Sequence, residues 1–548
     1  MKQWIKDNKI KALAAFILLI GIITRCIQFG RIPSGVNQDE AMGAVDALAI
    51  ATYGTDRFGV YHPVHLQAWR VGQMSAGLSY LQALCIKLFV FSTATIRLPL
   101  LIVSSISLLL MFFIGKKIKD EKMGLILLAL SVINPWHFMQ SRWAMDCNLF
   151  PHVFLMGLTA MLYGLDSFPL LLLSMVFFGL TFYCYGIAVY SVPVFLLLCA
   201  IWLLRKKKIS PGKLISCVAV FLITAMPEIL VMWINFRKLD TVYTPLFTLQ
   251  YFSESVRSND ILFMNFSLEG LLHNLKSMIE VAFLQVPGAA YNAPPQFGPS
   301  YHISIVFEVI GLIYLVSMLV KQDKSIDKWP YFLVLSYFVT CLWLGAITRD
   351  VNVNRINLIF PVLLILTAYG IVCTVNLATN IIPTKVGTGR IIGAGIAIGY
   401  AMLAAWFLRY YYFVFDEKVG NSAYFAEYVE AIKKADSYEE YDTVFVSGFT
   451  GYKADVKISE ILTNYICKHD AHYLQGLTNI SNGRSLLPYQ ERYHYFYSWD
   501  VKENELLAEV APKESIWVVH RNELDLIEGD FNIVGESGDE FVLLSPVE

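Results

Sequence analysis

Asp39 and Glu40 are adjacent carboxylates that open an amphipathic stretch just after the first long apolar run of the chain. A carboxylate held in such a place can act as a general base and take the proton from a hydroxyl group. A structural role fits as well, because Asn37 followed three residues later by Glu40 is a variant of the capping box. The pattern leaves capping alone and capping combined with catalysis equally open. The two roles are compatible, since a fixed helix start also fixes Asp39.

Two further polar segments carry candidate residues. Asp146 lies four residues after Arg142, so the two share a face if this stretch is helical. A lone aspartate at a helix boundary is more often a capping residue, and the company of Arg142 is what makes Asp146 a candidate. Arg349, Asn354 and Arg355 stand together in a later segment. The guanidinium fork suits a phosphate group, whereas the alternative role is an anchor among lipid headgroups.

Long apolar helices are the elements that must position these residues. The 548 residues are 56% hydrophobic and 16% charged, with a mean hydropathy of +0.53. A soluble domain has about 25% charged residues. Apolar runs of roughly 16 to 20 residues, the length that a bilayer core demands, recur from Leu13 to Leu408. The net charge of −1 argues against a nucleic-acid partner.

Basic clusters set the expected orientation. The N-terminal lysines and the clusters at 116–119, 205–208 and 321–328 should all be cytoplasmic. About eleven spans satisfy this rule, with the N-terminus inside and the C-terminal region outside. The apolar segment Ser75–Phe91 does not fit, and we expect it to lie in the interface or to dip partway. The predicted spans are Leu13–Phe29, Ile96–Ile114, Leu125–Gln140, Leu149–Leu165, Leu170–Tyr185, Ala188–Leu204, Leu214–Trp233, Ile303–Val320, Tyr331–Ile347, Leu358–Val375 and Ile391–Leu408.

The polar chemistry is expected in the loops of the outer side. The spans contain few charged residues, with Glu228 and Glu308 as the main exceptions. A pump or channel usually places ionisable residues inside its spans, so this asymmetry favours an enzyme at the membrane surface over a transporter. The predicted outer loops cover residues 30–95, 141–148, 235–302 and 348–357.

The chain divides into a transmembrane catalytic domain over residues 1–410 and a soluble extracytoplasmic domain over 411–548. Helical and strand patterns alternate in the second, which predicts a small α/β or α+β domain. It shows no catalytic motif, and its single cysteine, Cys467, excludes an internal disulfide. The predicted fold class is thus a polytopic α-helical membrane protein with a small C-terminal α/β domain. The tail helices are expected near Phe425–Ile432 and at Val456–Cys467, and the strands at Thr443–Ser447, Tyr493–Trp499, Ser515–Val519, Phe531–Val534 and Phe541–Leu544.

Short motifs follow one another in roughly the first 200 residues, namely Asp39-Glu40, Tyr53–Gly59 with Tyr61–Pro63, Ser79–Leu81, Arg97–Pro99, and Asn134–His137 with Ser141–Trp143. This ordered set resembles the GT-C class of membrane glycosyltransferases, specifically the bacterial relatives of protein O-mannosyltransferases and of lipid A aminoarabinose transferases. No single motif is specific, and the tail hardly contributes.

The resemblance implies a polyprenyl-phosphate-linked sugar as donor, transfer on the external face and inversion at the anomeric carbon. It makes Asp39 the base, Glu40 a neighbour that orients the acceptor and Asp146 a second acid. Some members use a divalent metal ion, which Asp39 and Asp146 could hold, although no ligand cluster requires one. After Tyr61 the double-proline pattern of the aminoarabinose transferases is missing, which separates the chain from that activity.

The function expected is therefore sugar transfer in the bacterial plasma membrane to a lipid, glycan or protein acceptor. Competing interpretations are a transporter or lipid flippase, a non-catalytic assembly or receptor protein, and a polymerase or ligase that transfers whole glycans. The candidate substrate-binding residues are Arg142, Arg349, Asn354, Arg355, His62 and Arg70.

Overall fold

The computed structural model describes residues 9–69, 72–253, 261–262, 266–381, 387–475, 492–499, 514–527 and 529–547. Arg70 lies outside the described residues. A bundle of apolar helices carries loops at its ends and is followed by a small α/β domain.

The helices are numbered in chain order. The first ten are α1 Lys9–Cys26, α2 Gln38–Tyr53, α3 Gly77–Leu88, α4 Thr93–Ile118, α5 Glu121–Ile133, α6 Pro135–Gln140, α7 Asp146–Gly164, α8 Phe168–Leu180, α9 Ala188–Arg205 and α10 Pro211–Arg237. The others are α11 Leu268–Ala282, α12 Ser304–Val320, α13 Trp329–Ile347, α14 Ile359–Ile381, α15 Thr388–Phe413, α16 Phe415–Tyr424, α17 Ala426–Ser437, α18 Val456–Ile466 and α19 Ala471–Leu474.

Each predicted span coincides with helical structure. Seven of the described helices are long and apolar enough to cross a membrane, namely α4, α7, α9, α10, α13, α14 and α15. The apolar stretches Phe168–Tyr183 and Ser304–Val320 are shorter. The chain is thus a multi-pass membrane protein, as predicted, while the number of spans stays a prediction.

One predicted span, Leu125–Gln140, consists of two helices that meet at Asn134. The Asn134 backbone is extended, and its Oδ1 accepts a hydrogen bond from the His137 N–H at 2.9 Å. Pro135 suits the first position of the new helix, where its missing N–H costs nothing. Asn134 Nδ2 also donates to the Pro299 carbonyl at 3.1 Å, so the break between α5 and α6 is fixed to the third loop.

The segment Ser75–Phe91 contains α3, which has 12 residues. Such a helix is about 18 Å long, shorter than the roughly 30 Å of the hydrocarbon core. It follows an antiparallel hairpin of β1 (His65–Ala68) and β2 (Gly72–Ser75). This geometry agrees with the expectation that the segment does not cross the bilayer by itself.

Two glycines allow the closest helix contact in the bundle region between α12 and α14. A Cβ atom at Gly311 would collide with the Leu366 carbonyl oxygen, and one at Gly370 with the Phe307 carbonyl oxygen. Small residues of this kind let two membrane helices approach by their backbones. The two glycines therefore let α12 and α14 pack with their backbones in contact.

The tail forms the predicted α/β domain. Two short strands of the third loop, β3 Val242–Tyr243 and β4 Thr248–Leu249, form a separate hairpin. The strands of the tail are β5 Thr443–Ser447, β6 Tyr493–Phe496, β7 Ser515–His520, β8 Phe531–Ser537 and β9 Phe541–Pro546. The five tail strands form one sheet in the order β6-β5-β7-β9-β8. The strands β6, β5 and β7 run parallel, and β9 and β8 continue the sheet antiparallel. The helices α17 and α18 match the two predicted in this region.

The tail shares a hydrophobic core with the first loop. Val45 and Ile50 of α2 and Leu66 of β1 belong to the same buried cluster as Ile432 of α17 and Leu462 of α18. Polar contacts join the same parts, since Tyr53 Oη donates to Asp470 Oδ2 at 2.6 Å. The division at residue 410 therefore describes sequence composition, whereas the packing unites residues of 30–95 with the tail.

Candidate active site at the meeting point of four loops

Asp39 lies half-buried in the first turn of α2, where Asn37 is the N-cap. Asn37 Oδ1 accepts from the Asp39 N–H at 3.0 Å, and Asn37 Nδ2 donates to the Ala423 carbonyl at 2.8 Å. The N-cap predicted at Asn37 is present and also ties the helix start to α16, whereas the Glu40 oxygens bind Arg97 and the Ala144 N–H in place of completing a capping box. The positive end of the helix dipole favours an ionised carboxylate in this turn, and a base must be ionised to accept a proton.

Glu40 is fully buried and bound on both oxygens. Its Oε1 accepts from Arg97 Nε at 2.7 Å and from the Ala144 N–H at 2.7 Å, and its Oε2 accepts from an Arg97 terminal nitrogen at 2.8 Å. A carboxylate used in this way holds α2 against α4 and the second loop. Both oxygens of Glu40 thus position the helix, and the catalytic role expected of this residue stays a prediction.

Arg142 is also fully buried, and its guanidinium binds protein groups. Nε donates to Tyr411 Oη at 2.9 Å, and the terminal nitrogens donate to the carbonyls of Arg25, Ile27, Gln28 and Ile32 at 2.6 to 3.2 Å. These carbonyls lie at and beyond the end of α1, where a helix leaves acceptors unsatisfied. Arg142 therefore serves as an internal brace, and the substrate-binding role expected of it stays a prediction.

Asp146 starts α7, and the fourth loop packs against this helix start. Asp146 is half-buried, and its Oδ1 accepts from the Cys147 N–H at 2.7 Å. Asn357 Nδ2 donates to the Cys147 carbonyl at 2.7 Å, and Asn354 Nδ2 contacts Met145 Sδ at 3.7 Å. The predicted Asp146 and Asn354 are thus neighbours, although more than 200 residues separate Met145 from Asn354 in sequence (209 positions).

The third loop contributes Tyr291 and Asn292 to the same place. Trp143 Nε1 donates to Asn292 Oδ1 at 3.1 Å, and Asn292 Nδ2 donates to Asn354 Oδ1. The Trp143 and Tyr291 rings meet edge to face at a centroid distance of 5.8 Å. Residues of the second, third and fourth loops therefore form one connected cluster.

The electrostatics of Tyr291 link this cluster to Asp39. Burial raises the pKa of the Tyr291 hydroxyl, and the neighbouring Cys147 and Asp39 raise this pKa further, whereas a hydrogen bond with Asn354 lowers it. A carboxylate can influence a phenol in this way when the two groups lie close together in a partly desolvated region. The four-loop cluster is accordingly defined by Asp39, Asp146, Tyr291, Asn292 and Asn354.

Arg349 and Arg355 lie in the fourth loop beside this cluster, both half-buried. A terminal nitrogen of Arg355 donates to the Arg349 carbonyl at 2.7 Å and lies 3.9 Å from Asp350 Oδ2. The Asp350 side chain is 83% exposed, so this ion pair is weak in water. Arg355 can therefore exchange Asp350 for an incoming anion at little cost.

His62 occupies a different part of the loop region. It has a positive φ of 39°, and its Nδ1 lies 3.3 Å from the Leu246 carbonyl. It borders a mainly apolar cavity of about 350 Å³ together with Tyr80 and Phe247. The structure thus assigns His62 to a contact between the first and third loops, beside this cavity. Its expected role in substrate binding stays a prediction.

A divalent metal ion would need more ligands than Asp39 and Asp146. Across the described ranges no group of three or more His, Cys, Asp or Glu side chains could hold one. Protein sites for hard cations usually combine several oxygen ligands. Asp39 and Asp146 alone do not make such a set.

Two residues of the cluster are absent from the sequence-based prediction. Tyr291 and Asn292 were missed although they stand in the short proline-rich run Pro287–Pro295, where an aromatic residue beside an amide is a usable signal. Arg97 was noted as part of a motif, but its partner Glu40 is 57 positions away. Such long-range pairs leave no local pattern.

The fold matches solved structures although the sequence matches little. No family model matches the chain, and no curated protein sequence matches it significantly. The crystal structure of ArnT from Cupriavidus metallidurans in the apo state is similar with a TM-score of 0.56 at 10% identity, over 99% of this chain and 98% of that one. With undecaprenyl phosphate bound, ArnT gives 0.54 at 11% identity, over 98% of each chain.

An oligosaccharyltransferase shows a further similarity. AglB from Archaeoglobus fulgidus, in complex with an inhibitory peptide and a dolichol-phosphate, gives a TM-score of 0.50 at 13% identity over 94% of this chain and 70% of that one. ArnT and AglB are GT-C glycosyltransferases. The similarity to ArnT includes the tail, to which the sequence motifs do not extend. This chain has the GT-C fold that its motifs predict.

Proposed function

We propose that this protein transfers a sugar from a polyprenyl-phosphate carrier to the hydroxyl group of an acceptor. The observation that carries the proposal is the four-loop cluster, in which Asp39, Tyr291 and Asn354 converge beside two arginines at one end of the bundle. The solved relatives support the class of donor, since ArnT was crystallised with undecaprenyl phosphate and AglB with a dolichol-phosphate.

Asp39 is the base in this proposal. Its carboxylate takes the proton of the acceptor hydroxyl as the oxygen attacks the anomeric carbon. The bond between that carbon and the phosphate oxygen breaks, and both electrons leave with the polyprenyl phosphate. A single displacement of this kind inverts the anomeric carbon. Asn37 and Glu40 fix the start of α2 and thereby the position of Asp39.

Arg355, with Arg349, stabilises the leaving phosphate. Negative charge grows on the phosphate as the bond breaks, and a guanidinium fork aimed at it lowers the barrier. The exposed Asp350 partner is displaced when the donor enters. Asp146 and Asn354 lie where they can bind hydroxyl groups of the transferred sugar.

We further propose that the cluster faces the outside of a bacterial plasma membrane. The lysine-rich clusters at 116–119, 205–208 and 321–328 then lie inside, as the positive-inside rule expects. Reporter fusions at Lys117 and at the C-terminus test this orientation. Opposite faces are expected for the two positions, and a cytoplasmic C-terminus would contradict it.

The donor is tested with purified protein in liposomes that contain polyprenyl-phosphate sugars. A cell-envelope extract serves as the source of acceptor, and release of polyprenyl phosphate is measured. We expect release that depends on the extract, and a donor KM raised about tenfold or more in Arg355→Ala, since a charge-assisted bond is worth ~1.5 to 3 kcal/mol. Arg521→Ala, an exposed tail arginine paired with Glu536, is the matched control. No release from any lipid-phosphate sugar would contradict the proposal.

A lipid translocator is the second candidate, and Glu308 is the observation that favours it. This residue is buried in α12, and neither carboxyl oxygen has a hydrogen-bond partner in the part of the chain that the structure describes. Ionisable residues inside a membrane domain often mark a transport path. A flipping assay with a fluorescent polyprenyl phosphate separates the two functions, because the transferase is expected to leave the lipid in its leaflet.

A further inference from the structure

A cavity of about 530 Å³ separates the first loop from the tail domain. Its walls come from α2, the loop around Arg57, the hairpin turn at Trp69, and the helices α18 and α19. Contacts on both sides hold it open: Gln475 Nε2 donates to the Arg57 carbonyl at 3.2 Å, and the Tyr53 and His472 rings stack at 3.8 Å. The volume falls within the range of roughly 300 to 1,000 Å³ that is typical of small-molecule sites.

The lining combines hydrogen-bonding groups with aromatic faces. Arg57, Lys457 and Asn464 supply donors, Glu460 supplies acceptors, and Phe58 and Trp69 supply rings. Polar residues thus stand on both walls, Arg57 on the first loop and the others on α18. A ligand that fits must offer many hydroxyl groups and some apolar surface.

Arg57 is fixed before any ligand arrives. One terminal nitrogen forms an ion pair with the buried Asp46, and the other donates to the Gln67 carbonyl at 2.8 Å. Its guanidinium lies over the Phe58 ring, 4.6 Å from the centroid. Because the ion pair with Asp46 neutralises the charge of Arg57, the guanidinium presents rigidly held N–H groups to a ligand but not a free positive charge.

The residues of α18 follow helical spacing along the opposite wall. Lys457, Glu460, Asn464 lie three and four residues apart and so point the same way. The Asn464 carbonyl oxygen Oδ1 bonds the His469 ring nitrogen at 3.1 Å, which fixes the side chain. Its Nδ2 group has no hydrogen-bond partner among the described residues, so its two donors remain for a ligand.

The chemistry of this lining selects a carbohydrate. A lipid chain would require a mainly apolar wall. A phosphate fits less well, because Arg57 is paired with Asp46 and the other cation of the lining, Lys457, shares its helix face with the acidic Glu460. An extended peptide binds best along a strand edge, whereas the lining residues belong to helices and loops. A sugar ring meets both requirements, because its hydroxyls bond amides and charges while its C–H face packs on an aromatic ring.

We propose that this cavity binds the carbohydrate part of the acceptor, as a site separate from the reaction centre. This inference rests on the proposed function, because only a glycosyltransferase has an acceptor. It identifies that acceptor as a glycan or glycolipid. Met42 lines the cavity and lies three residues after Asp39 on α2, about 4.5 Å along the helix axis. Lys453 of the tail donates to Gln38, next to Asp39, at 3.0 Å. An acceptor held here therefore reaches toward the base.

The test is a glycan microarray probed with the full-length protein in detergent, alongside a peptide array in the same format. We expect wild-type protein to bind one class of saccharides and no peptides. Asn464→Leu should reduce the apparent affinity at least tenfold. Lys457→Ala should reduce it severalfold, and because Lys457 is exposed, this variant should fold normally. Lys433→Ala, an exposed lysine on α17, is the matched control and should bind like wild type.

Asp39→Asn distinguishes the failure of this proposal from failure of the proposed function. It should bind the same saccharides as wild type while sugar transfer is lost. Saccharide binding without any transfer activity would support the cavity and contradict the transferase. Three results would overturn the proposal. The first is that the wild type binds no saccharide, and the second is that Asn464→Leu and Lys457→Ala bind saccharides as strongly as the wild type. The third is that the protein binds peptides in place of glycans.

Discussion

Asp39 and Glu40 are neighbours in the chain, but their surroundings differ. Glu40 is fully enclosed by Arg97 and the Ala144 N–H. Asp39 is half-buried in the first turn of α2, where the N-cap Asn37 binds its backbone. A buried ion pair is difficult to exchange for a substrate, because the remaining charge would be left without a partner. These surroundings agree with the proposal that Asp39 transfers the proton while Glu40 positions α2.

Asp56 is a second buried carboxylate of the first loop and has an unusual titration. Its Oδ1 accepts from the N–H groups of Phe58 and Val60, both at 2.9 Å, while Oδ2 has no hydrogen-bond partner among the described residues. Burial and the nearby Asp46 raise its pKa to about 7. The folded state therefore binds this proton more tightly than the unfolded state.

The raised pKa predicts a stability that depends on pH. The contribution of Asp56 to the unfolding free energy should fall as the pH rises from about 4 to about 7. Asp56→Asn keeps the Oδ1 acceptor and removes the ionisation, so it should raise the unfolding free energy at pH 8 by about 2 kcal/mol more than at pH 5. Thermal unfolding in detergent at the two pH values measures this. The control Asp525→Asn changes an exposed aspartate and should leave the unfolding free energy unchanged at both pH values. An equal effect of Asp56→Asn at pH 5 and pH 8 would contradict the raised pKa of Asp56.

Local patterns predicted some residues of the site and not their partners. Asp39 and Asp146 were found because acids beside apolar runs are conspicuous. The contacts of Arg142 lie up to 269 positions away in sequence, at Tyr411 Oη. A sequence pattern cannot distinguish an arginine that binds a phosphate near the membrane surface from one that binds five groups of the protein. The burial that reveals the internal contacts of Arg142 depends on tertiary packing.

At the scale of elements, the end of α1 depends on a residue of the second loop. The Arg142 guanidinium donates to the Arg25 carbonyl at the end of α1 and to the Ile27 and Gln28 carbonyls just beyond it. This brace sets the point at which the chain leaves α1 and enters the loop that carries Asp39. The position of α2 therefore depends on how the end of α1 is held.

Arg142→Gln should destabilise the protein by on the order of 3 kcal/mol, because several buried carbonyls lose a charged donor. The donor KM of the folded fraction should stay near that of wild type. Unfolding followed by tryptophan fluorescence, together with steady-state kinetics, measures both quantities. Arg31→Gln, in the first loop, changes an exposed arginine in the same way and serves as control. A normal melting temperature with a raised donor KM would restore the substrate-binding role.

Strands of the tail were predicted within a few residues, since alternating patterns bounded by polar turns are local signals. The break of the span Leu125–Gln140 at Asn134 was missed, although Asn134-Pro135 is visible in the sequence. Hydropathy averages over a window and passes across a single polar residue. The break is fixed by the Pro299 carbonyl, which belongs to a different loop.

At the scale of the whole molecule, the tail and the first loop form one packed body above the helix bundle. The Val36 N–H donates to the Tyr424 carbonyl at 2.7 Å, and the Ser34 N–H donates to Asp416 Oδ1 at 2.7 Å. The shared core of α2, β1, α17 and α18 adds apolar contacts. Sequence composition cannot reveal that the tail packs on the first loop, because each of the two segments has enough apolar residues for a core of its own. The tail thus supports the helix on which Asp39 stands.

Removal of the tail from Ala426 onward should unfold the first loop. Buried residues of α2 would then face water, and local opening exposes a backbone to proteases. We expect cleavage within residues 30–95 to become at least about tenfold faster in membranes, with sugar transfer lost. Cleavage in the 321–328 loop provides the internal control and should not change. A trimmed protein whose first loop stays resistant would show that the two parts fold independently.

The central claim is that Asp39 removes the acceptor proton, and its most direct test compares binding with turnover in Asp39→Asn. The amide has nearly the same shape but cannot take a proton at neutral pH. We predict binding of the polyprenyl-phosphate donor and a melting temperature like those of wild type, with kcat for sugar transfer lowered about 100-fold or more. Asp525→Asn should keep full activity. Transfer by Asp39→Asn at the wild-type rate would contradict the mechanism.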